Sequence, residues 1–189
     1  MKAYKILPDS AYLDECFVYD EASGVLRWRY RPVSHFRATG RRMAEHIQKM
    51  CNTRHAGTVA GSLEMFRGSR YFNVCLDGMK FRAHRIIHKM LTGLDAPEID
   101  HRDNDGINNT PQNLRAATYA QNGQNKRRYR NNESGFKGVK IDKRYGGFIA
   151  RIKLDGKLTE LGKFQTASAA HTAYCEAAQA AFGEFWNPG

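Results

Sequence analysis

The most informative segment of this sequence covers residues 99–115 and reads IDHRDNDGINNTPQNLR. A short apolar start is followed by a dense group of Asn, Asp and Gly, which are residues that favour turns. We therefore predict a strand at 99–102 and an ordered loop after it. Further along, Thr118 is a suitable N-terminal cap for a helix at 118–126.

The sequence before this segment predicts a hairpin and a helix. Two runs of strand-forming residues, 71–76 and 80–83, flank the strong turn signal Asp77-Gly78. Apolar residues then recur at helical spacing until Gly93. The other elements predicted upstream are a helix over 84–92, a half-exposed strand at 25–30, and a basic loop with one short helix around 42–50.

The sequence after residue 135 predicts a small unit of three strands and a helix. Gly-containing turns at 145–147 and 155–156 separate the strand patterns. Arg151 and Lys153 share one face of the middle strand, because side chains alternate between the two faces of a sheet. The predicted elements are strands at 136–141, 148–154 and 158–164, and a helix over 167–181 that Thr166 caps and Gly183 ends.

Composition indicates a folded protein with no membrane segment. The chain has 189 residues, a formal net charge of +11 and 41% hydrophobic residues, which is enough for a packed core. No apolar run approaches the ~18 residues that span a bilayer. The N-terminus continues directly into polar sequence, so no secretory signal is visible. We therefore expect an intracellular protein.

The cysteines do not indicate a zinc site. A zinc knuckle or ribbon needs two close pairs of ligands, and this chain has no CxxC pair. A disulfide framework is unusual in a chain of this size without an export signal. We therefore expect isolated thiols at Cys16, Cys51, Cys75 and Cys175.

The distribution of charge points to a polyanionic partner. Residues 1–83 carry a net charge of +6, residues 84–122 of −1, and residues 123–189 of +6. Basic flanks can neutralise a phosphodiester backbone, while carboxylates between them can hold a divalent metal. This layout is typical of a nuclease, although simple solubility would also explain a positive net charge.

The chemistry-bearing residues lie in and just after the Asn/Asp-rich segment. Hydrolysis of a phosphodiester needs an activated water, stabilisation of the phosphorane charge and help for the leaving 3′ oxygen. His101 can accept the proton of the water. Asp100 offers a carboxylate and Asn122 an amide oxygen to a hard cation. In an extended strand, Asp100 and His101 point to opposite sides.

These residues resemble the HNH (ββα-metal) endonucleases, specifically the phage and intron-encoded homing group, over residues 71–125. The motifs that carry the likeness are Asp100-His101, Asn113-Leu114-Arg115 and Thr118 through Asn122 to Asn125. The resemblance implies His101 as general base, Asp100 and Asn122 as ligands of one Mg²⁺ or Mn²⁺ ion, and Asn113 as the residue that ties the metal loop together. Many members carry a histidine at the position of Asn122.

Several neighbouring residues have simpler interpretations. Asn104, Asn108 and Asn109 are expected to be turn formers, and Asp103 and Asp105 to shape the loop, with second-shell metal contact as the alternative. We expect His84 and His88 to pack structurally. His84 is the next candidate for the base.

The segment 135–186 resembles the AP2 DNA-binding domain. The motifs are Gly135 through Lys140, Phe148 through Ile152, Leu161 through Phe164, and the alanine-rich helix. The resemblance implies that the sheet enters the major groove of DNA. Leu158 and Glu160 depart from the pattern of plant members, so no target sequence is implied. The expected DNA-binding residues are Lys137, Lys140, Tyr145, Arg151 and Lys153, joined by Lys126, Arg127 and Arg128 in the linker.

The sequence as a whole predicts an α+β protein that cleaves double-stranded DNA, by nicking or by double-strand cleavage. The alternatives are a non-catalytic DNA-binding regulator with a degenerate nuclease core and a nuclease selective for branched DNA or RNA. Oligomeric state is left open, with a monomer favoured. The predicted regions are an N-terminal basic region at 1–70 with possible DNA contact, the nuclease core at 71–125, a basic linker at 126–134, and the AP2-like domain at 135–189.

Overall fold

The computed structural model describes residues 5–66, 68–144 and 146–189 of the chain. Helices are separated by runs of two or three antiparallel strands along these residues, which confirms the predicted α+β class. The chain divides into two compact units, the first ending at Ala117 and the second beginning at Thr118. Each helix in the described ranges is too short or too polar to cross a lipid bilayer.

The first unit contains three antiparallel sheets of two or three strands. Its helices are α1 (Ser10–Cys16), α2 (Ala44–His55) and α3 (Ala83–Thr92). Its strands are β1 (Phe17–Asp20), β2 (Val25–Trp28), β3 (Ser62–Phe66), β4 (Ser69–Leu76), β5 (Met79–Arg82), β6 (Glu98–His101) and β7 (Leu114–Ala117). The sheets are β1-β2, β3-β4-β5 and β6-β7.

The predicted hairpin and helix are confirmed. Asp77 and Gly78 both have positive φ, 49° and 78°, as the tight turn between β4 and β5 requires. Helix α3 follows β5 directly and ends at Gly93, whose φ is 73° and whose N–H donates to the carbonyl of Lys89. Ile86 and Ile87 of this helix are fully buried.

Several elements of the first unit were not predicted, among them α1, β1, β3 and β7. Helix α1 has only seven residues, so the sequence shows less than two turns of periodicity, although the carboxylate of Asp9 caps the N–H of Tyr12 at 2.8 Å. Strand β3 is short and exposed at four of its five residues, so the alternation of Leu63 and Met65 with polar neighbours does not mark a buried face. Strand β7 has the sequence LRAA, which carries little strand propensity.

The N-terminal third packs into the same core as the hairpin and α3. Leu13, Phe17 and Leu26 belong to one buried cluster with Val74 and Ile86. Residue 70 is therefore not a packing boundary, in contrast to the expected separate region at 1–70. The reason is that α1 and the β1-β2 hairpin supply apolar side chains which the core needs.

The second unit contains the predicted three strands and helix. Helix α4 (Tyr119–Gln124) precedes β8 (Val139–Ile141), β9 (Phe148–Leu154), β10 (Lys157–Phe164) and α5 (Ala167–Phe182), and the sheet order is β10-β9-β8. The first strand starts at 139 rather than 136, because Gly135 and Gly138 both adopt φ of 77°. Ala170, Tyr174 and Ala178 are the buried residues of α5.

Both helix caps predicted in the second unit are present. The hydroxyl of Thr166 accepts the N–H of Ala169 at the start of α5. Thr118 forms a capping box with Gln121 at the start of α4. Helix α4 contacts the short turn Gly183–Phe185 and therefore belongs to the second unit. The division between the units thus lies before residue 125, where the sequence analysis placed the end of the nuclease core.

Candidate active site

Asp100 and His101 occupy the last two positions of β6, and both are buried, at 4% and 6% exposure. Strand β6 pairs with β7 in register, so that Asp100 lies opposite Arg115 and His101 opposite Leu114. Residues 102–113 form the loop that joins the two strands. The pair of strands therefore holds both candidate residues on a hydrogen-bonded frame.

Arg115 is a site residue that the sequence analysis did not assign. Its Nε and Nη2 atoms donate to Oδ2 of Asp100 at 2.9 and 2.7 Å, and both side chains are buried. Removing one member of a buried pair leaves an uncompensated charge, which is strongly destabilising. The contact between Arg115 and Asp100 depends on the register of β6 and β7. Because β7 was not predicted, the sequence analysis could not pair these two residues.

The ring of His101 is held by Asn109. His101 Nε2 lies 3.0 Å from Oδ1 of Asn109, and Asn109 is 3% exposed. An amide oxygen accepts hydrogen bonds, so Nε2 carries the proton and the lone pair of the neutral imidazole is on Nδ1. The expectation that Asn109 is only a turn former is therefore wrong, because its side chain points at the histidine ring.

Two aromatic neighbours surround the His101 ring. His84, from α3, makes an edge contact with His101 at 4.8 Å between ring centroids, and Tyr71, from β4, lies 6.0 Å away. Burial lowers the pKa of His101. Burial also lowers the pKa of His84 well below its ordinary value, and the neighbouring His101 and Arg82 lower it further. The low pKa values favour neutral rings.

The loop between β6 and β7 is cross-linked by Asn113 and Asp103. Asn113 Oδ1 accepts the N–H of Asp103, and its Nδ2 donates to Oδ1 of Asp103 and to the carbonyl of Asn108, at 2.7–3.0 Å. Burial would raise the pKa of Asp103, but hydrogen bonds from Asp105 N–H, Asn108 and Asn113 hold it below its ordinary value. Asp103 and Asn108 therefore shape the loop, as expected.

A close approach packs the loop against β4. Gly106 lies so near the ring of Tyr71 and the carbonyl of Arg70 that an added Cβ would overlap both. Asn104 takes the positive φ of 61° that a turn former tolerates. His88 bonds with the C-terminal end of its own helix through Leu94 and Thr92, in keeping with the expected structural role.

Asn122 lies on α4, in the second unit, with a half-buried side chain. Its role as a metal ligand stays a prediction. Across residues 5–66, 68–144 and 146–189, His, Cys, Asp and Glu side chains do not gather in threes as a candidate metal cluster.

One predicted DNA-binding residue, Lys137, is half-buried in the second unit. Its Nζ donates to the carbonyls of Gln124 and Asn187, each at 2.8 Å. Burial lowers the pKa of this ammonium group to about 8. Lys137 thus ties the last residue of α4 to the C-terminal tail, and its predicted contact with DNA stays a prediction. Tyr145 lies outside the described residues.

The other sheet residues that are predicted to contact DNA, Lys140, Arg151 and Lys153, lie on one face of the sheet. Register places Lys140 opposite Ile149, Arg151 opposite Glu160, and Lys153 opposite Leu158. The opposite face of β9 buries Ala150 and Ile152 against α5. A groove of about 520 Å³ lies beside the basic face, and its lining includes Lys140, Lys143, Arg144 and Arg151.

The segment between α4 and β8 combines basic and aromatic residues. Lys126, Arg127 and Arg128 are exposed, as a phosphate-binding segment requires. Lys126 Nζ lies 5.9 Å from the ring centroid of Tyr119, which is 76% exposed. Tyr129 is 74% exposed.

Comparison with known proteins gives the class. Residues 81–124 match the HNH endonuclease family, a segment that contains Asp100, His101, Asn113 and Asn122. An uncharacterized HNH endonuclease of Acanthamoeba polyphaga mimivirus is 31% identical over 134 residues, which cover 69% of this chain and 68% of the viral protein. No solved structure matches. The chain belongs to the HNH endonuclease family.

Proposed function

We propose that the protein is a metal-dependent HNH endonuclease that hydrolyses phosphodiester bonds in double-stranded DNA. His101 is the general base, Asp100 and Asn122 hold one Mg²⁺ or Mn²⁺ ion, and Asn113 orients the loop. The products carry 5′-phosphate and 3′-hydroxyl ends. The observation that carries the proposal is the bond between Nε2 of the buried His101 and Oδ1 of Asn109.

This bond supports the general-base role because it selects a tautomer. With the proton on Nε2, the Nδ1 lone pair of His101 can accept a proton from water as the water attacks phosphorus. Burial lowers the pKa of the ring, so the neutral form that can act as a base is populated at neutral pH. The second nitrogen, Nε2, is anchored and keeps the ring oriented.

The donor atoms of the proposed ligands fit a hard divalent cation. Carboxylate and amide oxygens are the ligands that Mg²⁺ and Mn²⁺ prefer. The bond from Arg115 holds the Asp100 carboxylate in a fixed orientation. A bound ion would stabilise the charge on the phosphorane oxygens and on the leaving 3′ oxygen.

The second unit supports a targeting role. Lys140, Arg151 and Lys153 share one face of its sheet, and the exposed linker residues Lys126, Arg127 and Arg128 add charge that can neutralise phosphates. We propose that this face binds DNA in the manner of an AP2-like module. An origin in a phage or mobile element, and a homing role, stay predictions from resemblance.

Incubation of supercoiled plasmid with the purified protein tests the proposed activity. We expect nicked or linear DNA with Mg²⁺ or Mn²⁺ and intact plasmid with EDTA. Nicks that DNA ligase reseals would carry the predicted 5′-phosphate and 3′-hydroxyl ends.

Two carboxylates in or next to the same loop provide a matched comparison. Asp100→Asn should abolish cleavage, because it removes the charge of a proposed ligand. Asp105→Asn should cleave like the parent, because an amide oxygen can still accept the N–H of Ile107 that Oδ1 of Asp105 accepts at 3.2 Å.

A parent protein that binds DNA but never nicks it with any divalent metal would favour a non-catalytic DNA-binding regulator.

A further inference from the structure

The β1-β2 hairpin contacts the loop that holds His101. The hydroxyl of Tyr19, on β1, donates to the backbone carbonyl of Asn109 at 2.7 Å. Tyr19 is half-buried, and burial raises its pKa to about 12, so the phenol remains a donor across the neutral range. The contact joins residues that are ninety positions apart in the chain.

Asn109 is therefore fixed from two directions. Its carbonyl accepts from Tyr19, while its side-chain Oδ1 accepts from Nε2 of His101. With both acceptors engaged and the residue 3% exposed, the side chain of Asn109 has little freedom to turn away from the imidazole. A shift in the backbone of Asn109 would move the atom that selects the tautomer of His101.

The turn of the same hairpin makes a second contact at this point. Gly24 has φ of 70°, and a Cβ built there would lie 2.8 Å from the nitrogen of Thr110 and 2.9 Å from the carbonyl carbon of Asn109. Hydrogen bonds from Ser23 Oγ and the Ala22 N–H to the carboxylate of Asp20 shape the turn. The backbone of the hairpin at Gly24 thus packs directly against the backbone of Asn109 and Thr110, and the space between them is too small for a side chain.

We propose that the β1-β2 hairpin is a positioning element of the active site, which fixes Asn109 through Tyr19 and Gly24 and thereby holds His101 in the Nε2–H tautomer. Tyr19 and Asn109 act through His101 and are positioning residues. Residues 17–28 lie outside the segment that matches the HNH family. The catalytic architecture therefore extends to the N-terminal third of the chain. Only the consequence for cleavage rests on the proposed function.

The tautomer can be measured directly by ¹⁵N NMR of the histidine side chains at a pH of about 8, where the imidazoles are neutral. The His101 signals are assigned from their loss in His101→Gln. We expect the parent to show the Nε2–H form, Asn109→Ala to lose this preference, and Tyr19→Phe to show a mixture of tautomers. Tyr30→Phe is the matched control, because Tyr30 is 68% exposed.

Turnover gives a second readout. Tyr19→Phe should lower kcat on the order of tenfold, by analogy with the loss seen when hydrogen-bond partners that orient metal-binding side chains are removed. KM for DNA should be unchanged, because Tyr19 contacts the loop and not the basic sheet face. Tyr30→Phe should retain the parent kcat.

The glycine contact has its own matched pair. Gly24→Ala and Gly57→Ala both place a side chain at a positive φ, 70° and 78°, but the space around Gly57 is open to 4 Å. The backbone strain is therefore similar, and only Gly24→Ala should change the tautomer of His101 and lower kcat. This pair keeps the proposal testable if Tyr19→Phe does not fold.

The outcomes separate this proposal from the proposed function. An unchanged His101 tautomer in Tyr19→Phe and Gly24→Ala would overturn the positioning role, as would equal effects in the matched controls. If the parent cleaves no DNA under any metal, the nuclease proposal fails. The tautomer measurement then decides the positioning role by itself.

Discussion

At the scale of single residues, the sequence identifies the two central residues of the site but not the side chains that hold them in place. Asp100 and His101 stand next to each other in a recognisable motif, and their place at the end of a strand could be predicted. Asn109 and Arg115 could not be assigned as their partners. Asn109 lies in a run of turn-forming residues, and its role depends on the direction of one amide. Arg115 depends on a strand register.

Lys137 provides a pH-dependent test of the second unit. Its pKa is lowered from 10.5 to about 8 by burial. Between these values the unfolded state binds a proton that the folded state has released, so this residue makes stability rise with pH in that window. We expect the urea midpoint of the parent, measured relative to that of Lys137→Met, to increase between pH 8 and pH 10.

The difference between the two proteins removes the contribution of other groups that titrate at high pH, such as Tyr174, whose pKa burial raises. Lys140→Met is the control, because Lys140 is exposed on β8. A midpoint difference that stays constant with pH would contradict the partial burial of the Lys137 ammonium group. A loss of DNA affinity in Lys137→Met without loss of stability would support the predicted contact of Lys137 with DNA.

At the scale of secondary structure, the predictions succeeded where local signals are strong. The Asp77-Gly78 turn, the end of α3 at Gly93 and the three strands after residue 135 each have a local cause in turn chemistry or alternation. Strand β7 and helix α1 lack such a cause. They form because neighbouring elements pair with them or bury their apolar side chains, and this tertiary contribution is not visible in a short window of sequence.

The proposed DNA binding by the sheet of the second unit can be tested with variants of its basic face. Arg151 and Lys153 lie on the same face of β9, so Arg151→Ala combined with Lys153→Ala should weaken DNA binding. Each phosphate that a basic side chain no longer neutralises lowers the slope of log K against log salt by about 0.9. The double variant should therefore reduce the slope by about 2, measured by fluorescence anisotropy across a salt series.

A matched substitution lies on a neighbouring strand. Lys157 is exposed but stands opposite Leu154, on the face of the sheet that packs against α5. Lys157→Ala should leave the slope nearly unchanged. Equal reductions in the two variants would mean that overall charge, and not this sheet face, governs binding.

At the scale of the whole molecule, the protein consists of two compact units that carry different functional residues. The first unit carries the buried Asp100-His101 pair and its supporting contacts, while the second carries Asn122 and the basic sheet face. The fold of each unit could be anticipated in part from the sequence. The division at residue 117 could not, because it depends on the contact of α4 with the turn at Gly183–Phe185.

The most direct test of the nuclease account compares cleavage and binding in His101→Ala with Mg²⁺ or Mn²⁺ present. Loss of a positioned general base lowers rates on the order of 10²–10⁴, while the basic sheet face is untouched. We predict a loss of this size in single-turnover cleavage, no rescue by raised Mn²⁺, and an unchanged Kd for DNA. His46→Ala, on an exposed position of α2, should match the parent in both measurements. Parent-like cleavage by His101→Ala would contradict the account and move the general base elsewhere, with His84 the next candidate.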